Sequence, residues 1–142
     1  MAKLLLPLML CAAIAAPARA ACTINSISGA SFGNYNPYST TALTTTITGK
    51  FSCTSNATVT ISTGSSGTYT TRTMRNGANV LNYNLYLDAG YTIVLGDGSP
   101  GAASYNVGPG NNQPFQVYGK TPPQQDVAVG AYSDSIVVTF TF

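Results

Sequence analysis

Apolar and polar residues alternate with a period of two along much of the chain. In Leu81-Asn82-Tyr83-Asn84-Leu85-Tyr86-Leu87, one face carries Leu81, Tyr83, Leu85 and Leu87 and the other Asn82, Asn84 and Tyr86. That is the pattern of a half-buried strand. At the C-terminus Ile136, Val138, Phe140 and Phe142 share one face, and Val137, Thr139 and Thr141 the other. No segment keeps a helical period beyond a turn or two. Runs rich in Thr, Val, Ile, Tyr and Phe predict strands over Cys22–Ser28, Ala42–Cys53, Ala57–Thr63, Thr68–Arg75, Leu81–Leu87, Thr92–Leu95, Gln113–Tyr118 and Ser133–Phe142. Gly, Pro and Asn clusters separate them, among them Gly64-Ser65-Ser66-Gly67, Asn76-Gly77 and Gly96-Asp97-Gly98. Short strands at this spacing predict an all-β sandwich with no internal repeat and no inter-domain linker.

The last predicted strand is the most hydrophobic and runs to the final residue. Two readings follow. It sits inside a complete sheet, or it borders an open edge whose unpaired N–H and C=O groups lie beside an apolar face and invite a strand from a partner. On pattern alone the complete sheet stands first.

The N-terminus changes the arithmetic. A short basic start, Met1-Ala2-Lys3, precedes the apolar run Leu4–Ala16, which is too short to cross a hydrocarbon core of about 30 Å. Pro17-Ala18-Arg19-Ala20 ends in an A-x-A pattern. Residues 1–20 read as a secretory signal peptide, with cleavage between Ala20 and Ala21 and a single domain over residues 21–142. Neither Cys11 nor Cys22 has a lipobox in front of it. The formal charge of +2 belongs to the leader. Beyond it Lys50, Arg72, Arg75 and Lys120 balance Asp88, Asp97, Asp126 and Asp134. Four scattered cations do not neutralise a run of phosphates, so nucleic acid is excluded as a partner. No transmembrane segment is expected in the mature chain. The nine Tyr and five Phe argue against disorder.

Candidate chemistry is sparse. The chain has no His and no Glu, which removes imidazole-based triads and leaves only Asp for carboxylate-pair chemistry. The four Asp read as turn-forming and solvated. Arg72 and Arg75 read as solvated charge. No metal-binding or cofactor-binding spacing is present, and an enzyme is not expected. Exported cysteines meet an oxidising compartment, so Cys22 and Cys53 read as one disulfide. Closing a loop of about 30 residues stabilises the fold by roughly 3–4 kcal/mol in the chain-entropy model. Tyr35, Tyr38, Tyr105 and Asn106 are loop residues that could stack on and hydrogen-bond sugars, which keeps a carbohydrate-binding module among the readings.

The C-terminal half resembles the spore coat protein U domain family, which includes pilus subunits of archaic chaperone–usher systems. The matching segments are Arg72-Thr73-Met74, Leu81–Asp88, Gly96-Asp97-Gly98, Tyr118-Gly119-Lys120 with Pro122, Gly130-Ala131-Tyr132-Ser133-Asp134 and Ile136–Phe142, with Phe32-Gly33-Asn34-Tyr35 and the Cys22/Cys53 pair earlier. The resemblance implies an immunoglobulin-like sandwich lacking its last strand. A periplasmic chaperone fills the groove first, and a neighbouring subunit's extension replaces it; this donor-strand complementation is a form of β-strand addition. It implies Ile136, Val138, Phe140 and Phe142 as groove-facing residues. It also implies an outer-membrane usher and neighbouring pilus subunits as partners, export through the periplasm, and a surface pilus serving adhesion and biofilm formation. It reverses the pattern-only order in favour of the open edge. Polymerising subunits carry an alternating N-terminal donor segment, whereas only Ala21 precedes Cys22 after the expected cleavage. This subunit is therefore expected to accept a strand without giving one, at a fibre tip. The alternative is a self-complete secreted spore-coat or matrix protein.

Overall fold

The computed structural model describes residues 19–142; the leader expected over residues 1–20, with Cys11, lies outside them apart from Arg19 and Ala20. Eight strands form: β1 (Cys22–Ile27), β2 (Leu43–Cys53), β3 (Ala57–Ile61), β4 (Arg72–Asn76), β5 (Asn79–Tyr86), β6 (Tyr105–Val107), β7 (Gly110–Thr121) and β8 (Val138–Thr141). One sheet has the order β1-β2-β7-β5-β4 and the other β6-β3-β8. Every strand pairing within them is antiparallel. The first sheet reproduces the A-B-E-D order of an immunoglobulin sandwich, and β3 with β8 its C and F strands. The fold is an all-β, immunoglobulin-like sandwich.

The longest pairing joins β2 to β7, from Leu43 opposite Thr121 to Cys53 opposite Gly110. β-branched Thr and Ile suit such a pleated surface, and Ile47, Phe51 and Cys53 are the buried residues of β2. Two glycines in this pair make room for aromatic rings. A Cβ on Gly49 would collide with the ring of Phe115, and one on Gly119 would sit 2.7 Å from the ring of Phe32. Both rings therefore lie across bare backbone. The core divides into two clusters, one around Ile47, Ile61, Tyr83, Leu85 and Leu95, the other around Phe51, Cys53, Ala57 and Val107. Cys22 and Cys53 form a disulfide with their Cα atoms 4.2 Å apart, fastening the start of β1 to the end of β2.

Some expected strands differ. Thr92–Leu95 makes only isolated bridges, Val94 with Tyr86 and Leu95 with Ala103. The Asp88 carboxylate takes the N–H groups of Thr92 (3.0 and 3.1 Å) and Ile93 (2.7 Å) into a compact loop, so they are not free for a ladder. Thr68–Thr71 stays irregular because the Asn84 amide donates to the carbonyls of Tyr69 (2.8 Å) and Thr70 (3.2 Å). The expected strand over Ser133–Phe142 pairs as a ladder only from Val138 to Thr141. Before that, Ser133 exchanges two backbone hydrogen bonds with Arg75 of β4 (2.8 and 3.1 Å), so the segment crosses from one sheet to the other. Tyr105–Val107 forms the short β6, which three residues between Gly-containing turns do not announce by periodicity.

Candidate functional site

A cleft of about 900 Å³ separates the two sheets. Its walls are the edge strands. Ile24 and Ile27 come from β1, and Ile136, Val138 and Phe140 from β8 and the segment leading into it. Ile24 is 44% exposed, Ile27 55% and Val138 39%. In a closed sandwich these inward-facing apolar side chains would be buried. Among the described residues no strand pairs with the outer edge of β8 or the outer edge of β1.

The walls run in opposite directions. β1 begins at Cys22, packed on the Phe51–Val107 cluster, and leads towards Phe32, packed on the Tyr83–Leu95 cluster. The C-terminal segment runs the other way, from Ile136 on the Tyr83–Leu95 cluster to Phe140 on the Phe51–Val107 cluster. A strand laid between them is parallel to one wall and antiparallel to the other.

The end of the cleft near Tyr83 is polar and tightly held. Asp134 is the centre. Its Oδ1 accepts from the N–H groups of Ser65 (2.8 Å) and Ser135 (2.9 Å), and its Oδ2 from the Tyr83 hydroxyl (2.7 Å). Burial, reinforced by the Asp134 carboxylate, pushes the Tyr83 hydroxyl well above the usual phenol range. The Phe32 ring meets Tyr83 edge-on at 5.7 Å and closes this end further. The expectation that Asp134 is a solvated turn residue is corrected: its carboxylate pins the approach to β8 onto β5 and the Gly64–Ser66 turn.

Arg72 is the larger correction. Expected as solvated charge, it has 0% exposure. Nη1 donates to Asn84 Oδ1 (2.6 Å), Nη2 to the carbonyls of Ser62 (3.0 Å) and Leu95 (2.8 Å), and Nε to Ser62 again (3.2 Å). The guanidinium also lies 5.1 Å from the centre of the Tyr69 ring. A buried guanidinium survives because its fork of donors is met by carbonyls. It joins β3's exit, β5 and the Leu95 turn, and does not line the cleft.

The other candidates scatter. Phe142 is 57% exposed and lies beyond the cleft lining. Tyr35 is occupied structurally: its hydroxyl donates to the Pro122 carbonyl (2.9 Å) and accepts from the Gln125 N–H (2.8 Å). Tyr38 stands alone at 90% exposure. Tyr105 lines the cleft, and Asn106 accepts from the Thr58 hydroxyl at 3.1 Å. These residues do not form one sugar platform. Among the described residues no group of three metal-ligating side chains gathers, and no helix is long and apolar enough to cross a membrane. Pattern reading did not single out Ile24 and Ile27, because they stand three apart in a strand that repeats every two.

Fold and cleft define an immunoglobulin-like domain with one flank open. Residues 9–139 match the Spore Coat Protein U domain, and the chain belongs to that family. It is similar to Protein U of Myxococcus xanthus, 41% identical over 81 residues, which is 56% of this chain and 45% of that protein. The chain thus matches less than half the length of this relative. Among solved structures it is similar to the CsuC–CsuE chaperone–tip adhesion subunit pre-assembly complex from archaic chaperone–usher Csu pili of Acinetobacter baumannii. That match has a TM-score of 0.59 and covers 87% of this chain and 40% of the other, at 17% identity. The likeness to the Csu complex is one of fold.

Proposed function

We propose that this protein is a structural subunit of a surface pilus, exported through the periplasm, whose open cleft accepts a β-strand first from a chaperone and then from a neighbouring subunit. The observation that carries this is the coincidence of two unmet needs on β8. Val138 and Phe140 offer side chains to the cleft, and the edge they belong to lacks a partner among the described residues. A strand meets both needs at once, whereas a small apolar ligand meets only one. The exposure agrees. The cleft is open to water and leaves Ile24, Ile27 and Val138 wetted, so a strand that covers them removes apolar surface from water.

Delivery by an outer-membrane usher, adhesion and biofilm formation extend the same reading. The tip position is tied to processing. It requires that the exported chain begin at Ala21, and N-terminal sequencing of the exported protein decides it.

The test is co-purification from the periplasm of a host carrying the cognate chaperone. The unchanged chain is expected to emerge with a stoichiometric chaperone, and Phe140→Asp to lose it, because a carboxylate in the apolar cleft stays unpaired. A folded monomer that neither captures the chaperone nor binds an added strand peptide would overturn the reading and favour a self-complete matrix protein.

A further inference from the structure

The two walls of the cleft are unequal as templates. On β8 the pairing with β3 is regular, from Ile61 opposite Val138 to Thr58 opposite Thr141. The Ser62 N–H donates to the Val137 carbonyl at 2.9 Å. Every second residue of an antiparallel ladder bonds its partner. Val137, Thr139 and Thr141 therefore face β3, and Val138 and Phe140 turn their N–H and C=O groups outward in steps of two.

On β1 the same count breaks. The Thr54 N–H donates to the Ala21 carbonyl (2.9 Å) and the Ser28 N–H to the Thr48 carbonyl (2.7 Å). Counting by twos from each end, Thr23 and Ser26 face β2, and Ile24 and Ile27 face outward. Between them Asn25 is a bulge: Ile24 pairs with Phe51 and Ser26 with Lys50, leaving Asn25 unopposed. The outward residues of β1 stand three apart where an incoming strand repeats every two.

The bulge is clamped. Asn25 Nδ2 donates to Ser52 Oγ (2.9 Å) and to Asn112 Oδ1 (2.7 Å), and the Asn112 N–H donates to the same Ser52 Oγ (3.0 Å). Asn112 has a left-handed φ of 52°. The β2–β7 pairing is irregular at the same level, with Phe51 opposite Gln113 and Cys53 opposite Gly110. Irregularities on both sides of β2 thus meet at one serine hydroxyl.

We propose that a strand accepted in the cleft takes its register from β8 alone, and that the Asn25 bulge, held by Ser52 and Asn112, keeps β1 from templating a continuous ladder. β1 contributes the side chains of Ile24 and Ile27, not backbone register. Bulges also blunt exposed edges, so the same device hinders two copies from zipping together β1 to β1. The inference rests on the strand-accepting reading above and adds which edge governs it.

The probe is a synthetic peptide alternating Val and Thr, offered to the full exported chain. Hydrogen exchange on the unchanged protein is expected to slow by at least about tenfold at the Val138 and Phe140 amides and to change little at Ile27. Affinity then tests the edges. Val138→Pro removes an outward N–H and is expected to bind at least about fivefold more weakly than Val138→Ala, whereas Ile24→Pro differs from Ile24→Ala by less than about twofold. Deleting Asn25 makes the outward residues of β1 regular and is expected to tighten capture or to produce β1-mediated pairing of copies. Protection of Ile27 equal to that of Val138, equal proline penalties on both walls, or a deletion without effect overturns the inference while leaving strand acceptance standing. No protection at either wall overturns strand acceptance, and this inference with it.

Discussion

The two flanks of the sandwich are finished to different degrees. On the flank where β4 and β5 meet the Leu95 turn, Arg72 is wholly buried and its donors are answered by Ser62, Asn84 and Leu95. On the flank between β1 and β8, Ile24, Ile27 and Val138 stand exposed beside strand edges that have no partner among the described residues. The first flank shows that burying charge is tolerable when the chain itself supplies an acceptor to each guanidinium nitrogen. The second has apolar side chains and backbone groups whose acceptors and neighbours the described residues do not supply. On the function proposed above, the contrast separates what the domain does alone from what a partner supplies.

The largest effect should come from breaking the finished flank. Arg72→Met keeps much of the volume but leaves the Ser62 and Leu95 carbonyls without their guanidinium donors and Asn84 Oδ1 with only the Leu85 N–H. A loss of about 3–5 kcal/mol in denaturant unfolding is expected, and a loss below about 1 kcal/mol would mean that the guanidinium does not hold this flank. Next is the fastening of the open flank. Replacing Cys22 and Cys53 together by Ala should cost about 3 kcal/mol and raise hydrogen exchange in β1 more than in β5; uniform loosening would show that the disulfide does not act through the β1 wall.

A smaller effect is expected where the flanks meet. Asp134→Asn weakens the acceptor of the Tyr83 hydroxyl and should cost about 1–2 kcal/mol. It should also bring the Tyr83 hydroxyl down towards the ordinary phenol range in an alkaline spectrophotometric titration. An unchanged titration would remove Asp134 as a cause. The smallest is local. Hydrogen bonds from Ile93 and Thr92 hold the Asp88 carboxyl below its usual range. Its folded value is depressed, so its contribution is full above the unfolded value of about 3.9 and fades as pH falls through the depressed one. Amide exchange at Thr92 and Ile93 should quicken selectively in that acid window.

Much of this architecture is legible in the residues. The alternation of Leu81, Tyr83 and Leu85 reads directly as the buried face of β5, and Ile136, Val138 and Phe140 lie together along the cleft as their spacing places them. The β1 wall is not legible in the same way. A bulge between Ile24 and Ile27 breaks the period that marks a strand face. Arg72 is illegible for a different reason. A cation is assigned to solvent by default, and the carbonyls that bury it come from Ser62 and Leu95, distant in sequence and silent in any side-chain pattern. Thr92–Leu95 looks like a strand in composition, but Asp88 captures its N–H groups first.

The opposed directions of β1 and β8 carry a consequence for symmetry. A cleft whose walls run oppositely distinguishes the two ends of whatever enters it. Where the surface that receives and the segment that enters are different parts of one molecule, each such contact is heterologous. Repeated contacts of that kind close into a ring only at special angles and otherwise continue without limit. An assembly built through this cleft therefore has a head and a tail.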